Sequence, residues 1–158
     1  MTTIATDGTT IAADGRRLWN GGQIAGDAHQ KIVVRDNYIY ALTGLAPMFE
    51  PMIAWHRRGA PVDDLPKMGS DAEWGALIVV DSSGTVTKYS DSCPYPETLP
   101  TPIAFGAGMD YAMGAMAAGA SPERAVQIAA ELCTHTGGAI TVIDIAEALG
   151  LAKPRRAA

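Results

Sequence analysis

Asp7-Gly8 stands between two short runs of β-forming residues, Thr2–Thr6 and Thr9–Ala13. An Asp-Gly pair in that setting closes a two-residue hairpin, because both central residues of the favoured turn need positive φ. The chain is thereby committed to antiparallel pairing within its first thirteen residues. Asp14-Gly15 repeats the turn signal and is followed by Arg16–Trp19 and a loop at Asn20-Gly21-Gly22. Lys31–Val34 and Tyr38–Leu42 form the next expected hairpin, across Asp36-Asn37. The first quarter of the chain therefore reads as an antiparallel meander.

Helical spacing then takes over. In residues 45–58, Leu45, Met48, Phe49, Met52 and Ile53 share one face and Gly59 is a stop. Pro51 removes one internal hydrogen bond, which predicts a short or kinked helix. A Pro- and Asp-rich loop over 60–73 leads to a hairpin, Ala76–Val80 with Thr85–Tyr89 across Ser82-Ser83-Gly84. Pro94, Pro96 and Pro100 mark residues 90–101 as irregular connection, and Ile103–Phe105 is a strand entering Gly106-Ala107-Gly108. Two helices follow. Met109–Ala118 carries Met109, Ala112, Met113 and Met116 on one face, with Gly119 closing it. The second has Ser121 as N-cap and Pro122 at its first position. Val126, Ala129, Leu132 and Cys133 are its expected buried face, and Gly137-Gly138 its end. A strand over Ala139–Ile143, a short helical stretch and a basic tail at about 152–158, expected to be flexible, complete the chain. With no internal repeat and no linker, residues 1–158 read as a single α+β domain whose antiparallel sheets pack face to face with helices outside.

Composition narrows the function. Apolar residues make up 47% of 158 and charged ones 18%, enough for a packed core. A net charge of −5 argues against nucleic acid or an anionic membrane as main partner. The apolar run over 103–120 is short, Gly-rich and broken by Asp110, so no membrane span is expected. No secretory leader is recognisable, and two cysteines are too few for a disulfide framework, which together place the chain in a reducing cytoplasm.

The chemistry is expected at the start, Met1-Thr2-Thr3-Ile4. Removal of Met1 alone would make Thr2 the N-terminus, with a hydroxyl and a free α-amine on one residue. A threonine hydroxyl needs a base to take its proton, and its own terminal amine, with an ordinary pKa of about 7.7–8.0, can be that base.

Several segments in order and spacing resemble the proteasome β-type branch of the N-terminal nucleophile hydrolases, nearest to HslV-type peptidases and small phage-type relatives. They are Thr2-Thr3-Ile4, Ala12-Ala13-Asp14-Gly15, Lys31-Ile32 and Ala41-Leu42-Thr43-Gly44. Gly106-Ala107-Gly108, Tyr111-Ala112, Gly114-Ala115-Met116 and Cys133-Thr134-His135-Thr136 follow. The resemblance implies a four-layer αββα sandwich, two antiparallel sheets between helical layers. It further implies a self-compartmentalising threonine peptidase in which Thr2 is the nucleophile. Lys31 would lower the pKa of hydroxyl and amine, Asp14 would orient Lys31, and the Gly44 N–H would hold the oxyanion. Leu42 and Thr43 would border the substrate pocket. No organic cofactor is implied, but carbonyls of Ala130, Cys133 and Thr136 match a monovalent cation (Na⁺) site. The implied partners are a peptide or unfolded protein, further copies in a homo-oligomeric ring, and an ATPase unfoldase.

Two departures bear on these expectations. Ala107 stands where the family has a serine whose hydroxyl touches the terminal amine. Residues 45–73 hold one short helix where the family has two long ones, which carry ring-to-ring and ATPase contacts. A catalytically silent ring or scaffold, and a small-molecule amidase using the same nucleophile, therefore stay open beside the peptidase. The apolar set on residues 45–55 is the expected contact between copies. Other readings fail on geometry. Cys133 and His135, two apart, do not share a helix face. Residues 106–119 lack the Lys-Ser/Thr of a phosphate loop. His29 and His56 show no metal-ligand spacing and read as surface residues.

Overall fold

A computed structural model describes residues 1–19, 22–67, 75–91 and 93–151. Eleven strands and four α-helices follow in chain order among these residues. They are β1 (Thr3–Thr6), β2 (Thr10–Ala13), β3 (Arg17–Trp19), β4 (Gln23–Gly26), β5 (Ile32–Arg35), β6 (Tyr38–Gly44), α1 (Phe49–Arg57), β7 (Gly75–Val80), β8 (Val86–Ser90), β9 (Cys93–Leu99), β10 (Ile103–Gly106), α2 (Met109–Ala117), α3 (Pro122–Leu132), β11 (Thr141–Asp144) and α4 (Ile145–Ala148). One antiparallel sheet has the order β10-β1-β2-β11, a second β5-β6-β7-β8-β9, and β3 and β4 make a separate hairpin.

Side-chain alternation along the strands, two residues per repeat, builds the layers. Ile4, Ile11, Ala13 and Phe105 point from the first sheet into a core shared with Ile39, Ala41, Ile78 and Val80 of the second. Ala5, Ala12 and Ala104, on the opposite face, are small enough for α2 and α3 to lie close, meeting Ala112, Met116, Val126 and Ala129. On the second sheet the alternate residues Tyr40, Leu42, Leu77 and Val79 pack against Met52, Ile53 and Trp55 of α1. Three cores separate four layers, α1, sheet, sheet and α2–α3: the αββα sandwich of an α+β protein.

Particular elements differ from the sequence reading. Residues 93–99, expected as irregular, form β9 at the edge of the second sheet. Pro94 and Pro96 are tolerated there because an edge strand has one row of N–H groups to spare. Residues 23–26 form β4, which had no expected partner for Arg16–Trp19. Pro51 falls in the first turn of α1, where its missing N–H has no intrahelical acceptor to lose, so the helix runs nine residues. The buried face of α2 is Ala112, Ala115 and Met116, while Met109 and Met113 are exposed. In α3 the buried residues are Pro122, Ala125, Val126 and Ala129; Leu132 points outward and Cys133 caps the end. Met48, Met52 and Ile53 are consumed by the chain's own sheet and are not free for a contact between copies. Residues 152–158, Asn20-Gly21 and residues 68–73 of the 60–73 loop lie outside the described residues. Among the described residues no helix is long and apolar enough to cross a membrane.

Candidate active site

The N-terminus enters the structure along a central strand. β1 lies between β10 and β2, and Thr2 just ahead of it and Thr3 at its start are buried. The Thr2 carbonyl accepts the Ala107 N–H at 2.7 Å. A Cβ on Gly106, whose φ is +89°, would stand 1.9 Å from that same oxygen, so only glycine lets β10 approach here. The Thr3 hydroxyl accepts from Gly108 N–H at 2.9 Å and pairs with the Thr136 hydroxyl at 2.6 Å. Main-chain contacts therefore fix Thr2 without help from a side chain at 107.

Asp14 follows β2 and is buried. Its Oδ1 accepts from Lys31 Nζ at 2.7 Å and Thr3 N–H at 2.7 Å, and its Oδ2 from Gly137 N–H at 3.1 Å and Arg16 N–H at 3.3 Å. Lys31, entering β5 on the other sheet, is 5% exposed and donates also to the Met1 carbonyl at 3.0 Å. That carbonyl belongs to the peptide bond closing on Thr2, so the ammonium sits against the Met1–Thr2 junction. Burial pushes the Lys31 ammonium below its ordinary pKa while Asp14 pulls it back up. The Met1 amine is lowered too, first by burial and then by Lys31, with Asp14 opposing. The Thr2 hydroxyl has no hydrogen-bond partner among the described residues, whereas no buried side-chain polar atom lacks one. The hydroxyl is thus open to the cleft in front of it.

That cleft has a volume of about 220 Å³ and is lined by Thr2, Lys31, Leu42, Gly44, Arg17 and Phe49 among others. Gly44 ends β6 with a φ of +104°, a conformation that favours glycine, and is exposed at the mouth. Thr2, Lys31 and Gly44 therefore face one space, with Asp14 behind Lys31. Thr43 is not on the cleft wall; its hydroxyl accepts the Ala76 N–H at 3.2 Å.

Two of the three carbonyls matched to a cation are engaged otherwise. That of Cys133 accepts the Thr136 N–H at 3.0 Å, and that of Thr136 accepts Arg16 Nη1 at 3.2 Å. The same Nη1 reaches the Thr134 carbonyl at 3.3 Å, and Arg16 Nε is 2.9 Å from Asp27 Oδ1. Ala130 and Cys133 lie off the cleft wall. A guanidinium already on one ligand oxygen repels a second cation, so with Arg16 in place this donor set does not fit a monovalent ion.

Arg16 and Gly137 were not singled out by sequence reasoning. A Cβ on Gly137 would fall 2.5 Å from Arg16 Cζ, so the glycine read as a helix stop is the seat of the guanidinium and a donor to Asp14. The only sequence signal is the placing of Arg16 two residues after Asp14. His29 lines the cleft. His56 is half-buried among Tyr38, Tyr40 and Tyr89, with Nδ1 3.1 Å from the Tyr40 hydroxyl, so it is no surface residue.

This layer order and central terminal strand define the fold of the proteasome β-type N-terminal nucleophile hydrolases. The structure is similar to Thiobacillus denitrificans BPH, at a TM-score of 0.65 and 19% identity over 91% of this chain and 97% of that one. The BPH complex with epoxomicin matches at 0.64 and 20%, covering 91% and 98%. Eukaryotic HslV from Trypanosoma brucei matches at 0.64 and 17%, covering 90% and 98%. At these identities the likeness is one of fold. No protein-family model matches the sequence, and no curated protein matches it.

Proposed function

We propose that this chain is a threonine peptidase that hydrolyses peptide bonds with Thr2, once Met1 has been removed. The observation that carries the reading is the Asp14-held ammonium of Lys31 lying against the Met1–Thr2 junction at the wall of an open cleft. After excision the α-amine of Thr2 takes the place of the amide, in surroundings that already lower the Met1 amine. The amine accepts the proton of the Thr2 hydroxyl as its oxygen attacks the substrate carbonyl. The Gly44 N–H holds the resulting oxyanion. Collapse breaks the C–N bond, and the leaving amine takes the proton from the Thr2 ammonium. Water then attacks the acyl ester, the amine again acting as base, and Thr2 is restored. Asp14 holds the Lys31 ammonium in place beside the hydroxyl and the amine throughout, and neither exchanges a proton with substrate. The fold neighbours favour a homo-oligomeric ring around an unfolded or peptide substrate as the setting. An ATPase unfoldase as partner and a cytoplasmic location belong to the same reading. No organic cofactor is required by it, and Arg16 serves where a cation would otherwise sit.

A second reading has its own observation. While Met1 is retained, Thr2 nitrogen is an amide and has no basicity, and Ala107 supplies no hydroxyl; such a chain would be a silent structural ring. Intact mass of the purified protein together with cleavage of short fluorogenic peptides distinguishes the two. Loss of the Met1 mass with cleavage abolished in Thr2→Ala and Lys31→Ala supports the peptidase. A chain lacking Met1 that cuts neither peptides nor simple amides overturns it.

A further inference from the structure

The cleft wall carries four basic side chains, Arg16, Arg17, His29 and Lys31, and no carboxylate among the described residues. Two of the four are neutralised within the chain, Arg16 by Asp27 and Lys31 by Asp14. Arg17, exposed on β3, has no ion-pair partner among the described residues. His29 reports the imbalance: burial lowers its proton affinity, and Arg17 and Lys31 lower it further. In a chain of net charge −5 this is a local excess of positive charge beside the candidate nucleophile. The same wall also carries apolar residues, Leu42, Leu45, Pro47 and Phe49.

We infer that the cleft selects a substrate residue with a short apolar stem and a terminal carboxylate, glutamate being the natural fit, and that Arg17 is the specificity-determining residue. The methylenes of glutamate lie on Leu42 and Phe49, and its carboxylate supplies the counter-charge that Arg17 lacks. A guanidinium suits this task because its planar fork holds a carboxylate through two hydrogen bonds. Lysine in the same place would meet Arg17 and Lys31 with like charge.

This inference rests on the peptidase reading for its use but not for its test. A fluorescein-labelled peptide with glutamate at the residue before the scissile bond is compared with the same peptide carrying glutamine, by anisotropy on the full chain lacking Met1. The matching fluorogenic pair is assayed for cleavage. Glutamine keeps the shape and removes the charge, so the ratio isolates the carboxylate's contribution, and its change in Arg17→Gln assigns that contribution to Arg17. The expected preference for glutamate is about tenfold in each readout, and Arg17→Gln brings the ratio to about one. Glutamate binding no better than glutamine, or a ratio unchanged in Arg17→Gln, overturns the inference whether or not either peptide is cut. A glutamate preference in binding that vanishes in Arg17→Gln, with no cleavage of any peptide, upholds the inference and brings down the peptidase reading.

Discussion

Asp14 and Lys31 form one ion pair, yet removing either member leaves very different wreckage. Lys31→Met keeps most of the apolar stem and deletes the ammonium. The Asp14 carboxylate still accepts from Thr3 N–H at 2.7 Å, Gly137 N–H at 3.1 Å and Arg16 N–H at 3.3 Å. Breaking a buried pair costs about 3–5 kcal/mol, and with three donors left the loss lies near 3 kcal/mol. Asp14→Ala strands an ammonium whose remaining acceptor is the Met1 carbonyl at 3.0 Å. It also orphans the N–H groups of Thr3 and Gly137, at about 1–3 kcal/mol each. The sum, roughly 5 kcal/mol or more, approaches the whole stability of a small domain, about 5–15 kcal/mol. Lys31 limits the loss by discharging, since Asp14 is what opposes the downward pull of burial on its pKa. The sign follows from linkage: the folded pKa of Lys31 falls below its ordinary 10.5, so the unfolded chain binds more protons between the two values. Asp14→Ala therefore regains stability as pH rises toward 10.5, and Lys31→Met does not. Urea unfolding followed by circular dichroism at pH 7 and pH 9 measures both effects. Lys31→Met proving as costly as Asp14→Ala, or costlier, refutes this account of the carboxylate's partners.

Gly106→Ala places a Cβ 1.9 Å from the Thr2 carbonyl oxygen at a φ of +89°. Strain of about 1–2 kcal/mol from φ alone is joined by displacement of Thr2, so thermal denaturation drops and peptide cleavage is lost together. Burial holds His56 below its ordinary pKa. The unfolded chain then takes the proton first, and stability declines as pH falls from 6.5 toward the lowered value; in His56→Gln that part of the slope disappears from urea midpoints measured between pH 7 and 5. Arg16→Ala frees the carbonyls of Thr134 and Thr136, and the variant is expected to melt higher in sodium or potassium than in choline chloride, a difference the parent chain lacks. Ala107 is exposed, so serine there meets no packed neighbour; Ala107→Ser raises kcat about tenfold in the chain lacking Met1, with the melting temperature unchanged.

Most short-range signals were legible, although the first hairpin turns one residue later than expected, at Gly8-Thr9, with the Asp7 N–H on the Thr10 carbonyl. The turn at Asp36-Asn37 has φ of +51° and +62°, as a two-residue hairpin demands, and Ser121 accepts the Arg124 N–H as a cap. The order of motifs was enough for the four layers. Placement of Thr2, Lys31 and Gly44 around one cleft follows from that order, since Thr2 and Lys31 immediately precede strands and Gly44 ends one. What sequence could not show depends on which surfaces meet. Met109, Met113 and Leu132 satisfy a helical period, but the sheet beneath is paved with Ala5, Ala12 and Ala104, and alanines on the helices give the closer fit. Arg16 and Gly137 are 121 positions apart in the chain, and neither residue type announces the other.

The pair of Asp14 and Lys31 also separates what the fold needs from what the site needs. Ile4, Ile11, Ala13, Ile39 and Ile78 fill the space between the sheets, and apolar residues would extend that filling to its edge. A buried ion pair is a poor stabiliser, because desolvating both charges consumes most of their attraction, and apolar replacements of equal volume often leave a protein as stable or more so. Here one partner comes from each sheet, the pair meets at the junction of Met1 and Thr2, and its carboxylate holds four donors. Packing alone does not call for such an arrangement. Its effect is electrostatic: it keeps an ammonium dry and fixed beside the amide that becomes an amine when Met1 is removed. The sandwich would stand without the charge; the proposed chemistry would not.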